Sequence, residues 1–141
     1  IVSTPANLLS TLESAGGIKR IFFPVDSGAT WIRIMEVKSN MTCSFMMNMI
    51  CYANQDASII VGYVVNYDNK VQICNFKQLI GKAGEVYNPN LKYKKDGNTI
   101  IVWAKSSAIN NKASCINLLH GNASFPMIIE TPPEDAIQPT W

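Results

Sequence analysis

The side chains that could perform nucleophilic catalysis are few in this sequence. A Ser or Cys nucleophile needs a nearby histidine whose orientation is fixed by an acidic residue. His120 is the single histidine of the chain, and it precedes Gly121 at the end of a strand-like segment. An exposed histidine in a turn is the ordinary interpretation of such a position. The sequence therefore predicts no catalytic triad.

Paired carboxylates could hydrolyse glycosides if they stood at the separations that retention or inversion requires. Glu36 draws attention because it lies on the strand-like segment Trp31–Val37, close to Arg33. Residues three apart on a regular strand point to opposite faces, so we expect Arg33 and Glu36 not to pair. A solvated outer face is the default position for Glu36. The other glutamates considered for such a pair are Glu13, Glu85 and Glu130.

The cysteines offer no metal chemistry that the sequence can support. Zinc sites need closely spaced ligand pairs, usually with histidines, and no Cys-x-x-Cys pair is present. We expect reduced, buried cysteines, which favours synthesis in a reducing cytosol. No phosphate-binding loop is apparent either, since Gly81–Gly84 lacks the flanking pattern. Neither a metal nor another cofactor is predicted. The cysteines are Cys43, Cys51, Cys74 and Cys115.

Aromatic side chains in turns are the better candidates for ligand contact, because they combine a large contact area with a polar group. Tyr67 and Tyr87 fall in turn or loop settings that are rich in asparagine. Trp31 and Trp103 lie in strand-like segments, where a structural role is expected. The predicted ligand-binding residues are Tyr67, Asn69, Tyr87, Asn88 and Asn90.

Short segments with alternating apolar and polar residues must position these side chains. A period of two places alternate side chains on opposite faces of a β-strand. Turn signals separate the segments, and the clearest is the hairpin signal at Lys95–Asn98. One helix is expected near the N-terminus, capped by Thr4 and Pro5 and ended by Gly16. The expected strands are 18–25, 30–38, 41–53, 58–66, 70–77, 91–94, 99–105, 113–119 and 125–130.

Many short strands and at most one helix predict an all-β protein, an antiparallel β-sandwich or jelly-roll-like barrel with one short N-terminal helix. Residues 1–28 would form that helix and the first strand, as a junction to an upstream stalk. Residues 29–141 would form the head domain. The proline-rich tail Thr131–Pro139 cannot sustain a sheet ladder, so we expect a surface-lying arm.

Composition narrows the functions further. The 141 residues are 48% hydrophobic and only 16% charged, so we expect that other copies cover some apolar surface. A net charge of +2 gives no basic stripe for nucleic acid. No apolar run reaches the roughly 18 residues of a spanning helix, so membrane insertion is not expected.

The order of these segments resembles the C-terminal domain of phage tail fibres. The resemblance rests on the opening Trp31–Val37, the loop end Asn88–Tyr93, the segment Lys94–Lys105 and the proline-rich close. It implies a β-sandwich head, usually trimeric, that attaches the virion to a host surface glycan or protein. It supplies no residue-level binding site, and this chain differs from many fibres in its cysteines.

Three functions follow, in this order. The first is a non-enzymatic phage fibre head domain that binds a host receptor as a homotrimer, made in the host cytoplasm and located in the virion. The second is a monomeric carbohydrate-binding module of a secreted bacterial protein, which would carry a planar row of exposed aromatics. A small carboxylate hydrolase ranks last, so the chain is predicted not to be an enzyme.

Overall fold

The computed structural model describes residues 19–24, 30–51, 56–68, 70–80, 90–105 and 114–139. These residues form nine strands and, within the described ranges, no helix. The predicted helix over residues 4–16 lies outside the described residues. The strands are β1 (Lys19–Phe22), β2 (Trp31–Lys38), β3 (Met41–Cys51), β4 (Asp56–Tyr67), β5 (Val71–Ile80), β6 (Asn90–Asp96), β7 (Thr99–Lys105), β8 (Cys115–Gly121) and β9 (Ile128–Ile129).

The strands build two antiparallel sheets, as the alternating pattern predicts. The large sheet has the order β1-β8-β3-β4-β5, and the small sheet has the order β6-β7-β2-β9. The predicted all-β antiparallel fold is confirmed, and the two sheets are consistent with a sandwich. The chain crosses between the sheets at Ser39–Asn40, where Asn40 adopts a φ of 66° that permits the sharp change of direction.

One face of each sheet supplies the core. From the large sheet, Phe45, Met47 and Ile60 are fully buried; from the small sheet, Ile32 and Val102 are. Each such side chain contributes roughly 1.5–3 kcal/mol through removal of apolar surface from water. The period of two therefore places alternate residues of the strands in the core, as the sequence predicts.

An aromatic chain joins the two sheets near their middle. The ring of Phe45 lies 5.8 Å from that of Phe76, whose ring lies 5.6 Å from Tyr93 in the small sheet. Gly62 makes room for this stacking, since a Cβ there would come within 2.8 Å of both phenylalanine rings. A side chain at position 62 would displace the rings on which the centre of the core depends.

A buried amide joins the two sheets at one end. Asn66 of β4 has no exposed surface, and its Nδ2 donates to the carbonyl oxygens of Val37 (2.9 Å) and Asn98 (2.7 Å). Its Oδ1 accepts a hydrogen bond from Gln72 Nε2 at 3.2 Å. The backbone oxygen of Asn66 accepts from Asn40 N at 2.7 Å. Asn66 of the large sheet thus supplies hydrogen bonds to the backbone at the end of β2 and in the β6–β7 turn of the small sheet.

The proline-rich tail is an extended arm across the small sheet, as predicted. It starts where Glu130 N donates to Trp31 O and reaches the far edge, where Tyr93 and Ile137 exchange two backbone hydrogen bonds of 2.9 and 2.8 Å. Trp103 points away from the core, yet it is only 2% exposed. Pro132 of the arm is buried as well. The arm therefore acts as a strap over the outer face of the small sheet.

Replacement of Asn66 by Asp should destabilise the fold. A carboxylate cannot donate to the carbonyl oxygens of Val37 and Asn98, so both lose their partner and face a like charge. We expect a loss of about 3 kcal/mol in the free energy of unfolding, measured by urea denaturation. Asn122→Asp is the matched control, since Asn122 is exposed, and should cost at most about 0.5 kcal/mol. Equal effects of the two changes would contradict the role of Asn66.

Candidate functional site

A charged cluster on the outer face of the small sheet is the first candidate site. Arg33 Nε donates to Glu130 Oε2 at 2.7 Å, and Arg33 Nη1 donates to Glu36 Oε1 at 2.6 Å. Trp103 Nε1 donates to Glu130 Oε2 at 2.8 Å. The Arg33 guanidinium also lies 5.9 Å from the centre of the Trp103 ring. Both carboxylates therefore converge on one guanidinium above a buried indole.

Arg33 and Glu36 pair directly, so the expectation that they face opposite sides is wrong. The register of β2 against β7 shifts between Arg33 and Met35. This bulge turns Ile34 and Met35 both into buried positions, and an extra residue inverts the alternation beyond it. Glu36 therefore returns to the face of Arg33.

The electrostatics of the cluster hold Glu130 in its charged form. The hydrogen bond from Arg33, followed by that from Trp103, lowers the pKa of Glu130 below its ordinary value. The same contacts, first with Glu130 and then with Glu36, raise the pKa of Arg33. An ionised Glu130 can accept hydrogen bonds or stabilise positive charge, but it cannot donate a proton at neutral pH.

A depression of about 230 Å³ lies beside this cluster. Its lining mixes charge with apolar surface, as a small polar ligand would require. Within the described part of the chain, no group of three or more His, Cys, Asp or Glu residues could hold a metal ion. The described residues also include no helix that is long and apolar enough to cross a membrane. The residues that line the depression are Arg33, Lys94, Asp96, Ile101, Trp103, Glu130, Thr131 and Pro133.

The outer face of the large sheet, which we call the apolar face, is the second candidate site. Its large apolar side chains are 42–61% exposed. Among the described strand side chains on this face, only Lys77 of β5 and Arg20 of the edge strand β1 carry a formal charge. Exposed apolar surface of this extent is typical of an interaction site. The residues concerned are Phe22, Tyr63, Tyr67, Val71, Ile73, Leu79 and Leu119.

The apolar face contains a depression of about 320 Å³. Tyr63 forms part of its wall, and its hydroxyl accepts a hydrogen bond from Asn75 Nδ2 at 3.2 Å. Leu119 and Val61 add apolar surface, while Lys77 lies at the same depression. Such a lining suits the apolar side chains of a protein partner better than a strongly polar ligand.

The structure describes the position of two of the five residues that are predicted to contact a ligand. Tyr67 ends β4, is 61% exposed and belongs to the apolar face. Asn90 begins β6 opposite Lys105, in the small sheet rather than near Tyr67. Asn69, Tyr87 and Asn88 lie outside the described residues, so these assignments stay predictions. The predicted loop from Leu79 also begins too early, because β5 continues to Ile80.

The thiols are reduced wherever the structure describes them, as expected. Cys43 and Cys115 are buried and Cys74 is half-buried, and all three are free. Burial raises the pKa of Cys43 and of Cys74 to about 11. The side chain of Cys51 lies outside the described part. Thiols with such pKa values remain protonated at neutral pH and are poor nucleophiles.

The sequence did not reveal either candidate site as a whole. Glu130 and Arg33 are 97 residues apart, and nothing in their local patterns couples them. The apolar face could have been found, because Val61, Tyr63 and Val65 alternate with the buried side chains of the same strand. Apolar residues on both faces of β4 are the signal for a sheet that is covered twice.

Comparisons with known proteins give one structural similarity. No protein-family model matches the chain, and no curated protein matches it. Among solved structures, the chain is similar to tailspike protein gp49 from the Acinetobacter baumannii bacteriophage Fri1, described as a capsular polysaccharide depolymerase. The identity is 16%, and the TM-score is 0.41. The match covers 80% of this chain but 18% of that one, so this chain spans under a fifth of that protein.

This comparison bears on two predictions. The solved protein is a phage tail protein, so the comparison agrees with the resemblance to phage tail fibres at a coarse level. The TM-score is too low for the agreement to go further. The prediction that the chain is not an enzyme is contradicted, because the solved protein is described as a depolymerase. We withdraw that prediction.

The Arg33–Glu130 contact should make stability depend on pH. A lowered pKa in the folded state means that Glu130 stabilises the fold above its unfolded pKa, and that this contribution disappears as the pH falls through the folded value. Glu130→Gln should therefore cost up to about 1 kcal/mol at pH 7, given its partial exposure, and nothing at low pH. Urea unfolding at neutral and acidic pH measures the difference.

Glu134→Gln provides the control, since Glu134 is exposed in the turn of the same arm. Its cost should be close to zero at both pH values. A cost of Glu130→Gln that persisted at low pH would show that the carboxylate charge is not the cause.

Proposed function

We propose that this chain is an attachment domain of a phage tail that works as a homotrimer and contacts a host surface glycan or protein. The observation that carries the proposal is the apolar face of the large sheet. Three copies that pack through this face would bury its exposed aromatic and aliphatic side chains. Such burial is the main driving force of permanent association.

The distribution of charge supports self-association through this face rather than through the small sheet. The outer face of the small sheet carries the Arg33 ion pairs and the Lys94–Asp135 contact of 3.2 Å, and the arm already covers it. The apolar face has two charged side chains, Lys77 and, at the β1 edge, Arg20, and no covering segment among the described residues. A face of this kind gains most from burial and loses least through desolvation of charges.

In a trimer, the loops at the ends of the strands would remain free to contact a receptor. We place the receptor contacts beyond the strand ends, at residues 54–56, 68–69 and 81–90, because Tyr67 and Leu79 belong to the strands of the apolar face. Weak contacts in three identical loops would add through multivalency. The location that follows is the tail of the virion.

The alternative is a carbohydrate-binding module, which would act as a monomer. The depression beside Arg33 and Trp103 favours it, because charged groups next to an indole are suited to sugar hydroxyls. This alternative leaves the apolar face without an occupant, which is why it ranks second.

The mass in solution tests the trimer. Light scattering of the native chain should give a whole multiple of three chains of 15.6 kDa. Leu119→Lys places a charge in the wall of the depression in the apolar face and should remove the threefold association. Ile128→Lys is the matched control, because Ile128 is similarly exposed but lies on the small sheet. A native mass that is not a multiple of three would contradict the trimer.

Receptor binding needs its own experiment, with an array of bacterial surface polysaccharides as the probe. Attachment predicts retention of the native trimer on at least one polysaccharide and a loss of apparent affinity of tenfold or more in the Leu119→Lys variant. Equal retention of a monomer would support the carbohydrate-binding module instead. Release of new reducing ends, followed in the same samples, detects depolymerase activity.

A further inference from the structure

The four sheet edges of this sandwich are protected very unequally. An exposed strand edge presents unpaired backbone N–H and C=O groups and invites pairing, so proteins shorten, charge or cover their edges. Edge strand β1 has four residues and begins with the exposed pair Lys19 and Arg20. Edge strand β9 has only two residues. Both edges are too short or too charged to recruit another strand.

The arm protects the third edge. Ile137 exchanges both of its backbone hydrogen bonds with Tyr93 of β6, which occupies the middle of that edge. The strand also carries Lys92, Lys94 and Lys95. The edge of β6 is thus protected both by the arm and by the charge of its lysines.

The fourth edge, β5, has neither protection among the described residues. It is ten residues long, which corresponds to roughly 33 Å of open edge. No strand of the described part of the chain pairs with its outer side. Lys77 is its single charged residue, and Val71, Ile73, Leu79 and Ile80 are 42–56% exposed. A long, apolar and nearly uncharged edge is what natural proteins avoid unless it has a partner.

We propose that β5 pairs antiparallel with β5 of a second copy of this chain, around a two-fold axis at Asn75. The two large sheets would then form one continuous sheet. The partner is a second copy because an identical strand is self-complementary around such an axis, and because β5 is the one open edge among the described strands. One open edge per copy closes the assembly at two, whereas two open edges would build a filament.

The position of the axis follows from side-chain parity and charge. Residues directly opposite in an antiparallel pair share a face, so the axis must pass through a residue. An axis at Asn75 places the two Asn75 side chains together, sets Val71 opposite Leu79, and keeps the two Lys77 residues roughly 13 Å apart along the strands. An axis at Phe76 would bring the two lysines within about 8 Å. The Asn75 and Phe76 registers share the longest overlap, nine residues, and of these two the Asn75 register has the weaker repulsion.

This pairing forms through the backbone groups of the β5 edge, whereas the threefold contact forms through side chains of the apolar face, so it stands if that contact fails. If both contacts form, the native assembly has six copies, and Leu119→Lys should reduce it to two, because Leu119 lies on β8 and not on the β5 edge. A native assembly without the β5 pairing should have three copies. Light scattering distinguishes these masses. An odd-numbered native mass would overturn the β5 pairing but not the trimer.

A disulfide test reports on the register itself. Asn75→Cys should yield a covalent dimer on mild oxidation, because residues opposite each other across the axis have Cα atoms within disulfide range. Lys77→Cys is the matched control, on the same face of the same strand, and should form at least tenfold less dimer. Peptide mass mapping identifies the joined residues, which excludes the native cysteines. Crosslinking at position 77 in preference to 75 would overturn the proposed axis.

Hydrogen exchange of the native chain covers the case in which a variant fails to fold. Alternate amides of β5 should exchange slowly at high protein concentration and faster on dilution, as the pair dissociates. Slow exchange that does not depend on concentration would mean that a segment of the same chain covers the edge, and would overturn the proposal.

Discussion

The sandwich depends on the way its two sheets are held in register at their polar end, and the amide of Asn66 performs this task. Apolar packing is non-directional, so the contacts of Phe45, Ile60 and Val102 would tolerate a slide of one sheet over the other. The hydrogen bonds from Asn66 to Val37 and Asn98 have fixed directions and start from a side chain with no exposed surface. Because an unsatisfied buried group is costly, one alignment of the sheets is strongly preferred.

Much of the fold follows from the sequence because a period of two is a local signal. The nine predicted strands correspond to the nine strands of the structure, and the Gly97 turn, with a φ of 57°, lies where Lys95–Asn98 predicts it. The charged site is different, because it depends on one irregular residue in β2. Alternation places Arg33 and Glu36 on opposite faces, and only the bulge reverses this. A pattern based on regular strands cannot predict a local irregularity that is fixed by tertiary pairing.

Contacts between residues that are distant in the sequence cannot be predicted from local patterns either. Glu130 binds Arg33 across 97 positions, and Trp103 was expected in the core, whereas its indole is buried under the arm on the opposite face. The low charge content predicts that other copies cover some apolar surface, and that cover stays a prediction. It could not indicate which of the two sheets would carry that surface, since the arm protects one and leaves the other.

The strap formed by the arm has a consequence for synthesis. A ribosome delivers residues 128–137 after all the strands that they cover, so the indole of Trp103 and the outer edge of β6 stay open until translation has passed this point. A nascent chain that has not yet reached these residues exposes apolar surface together with an unpaired strand edge. Chaperones and proteases recognise such features. Closure of the strap thus covers the Trp103 indole and pairs the middle of the β6 edge in a single step.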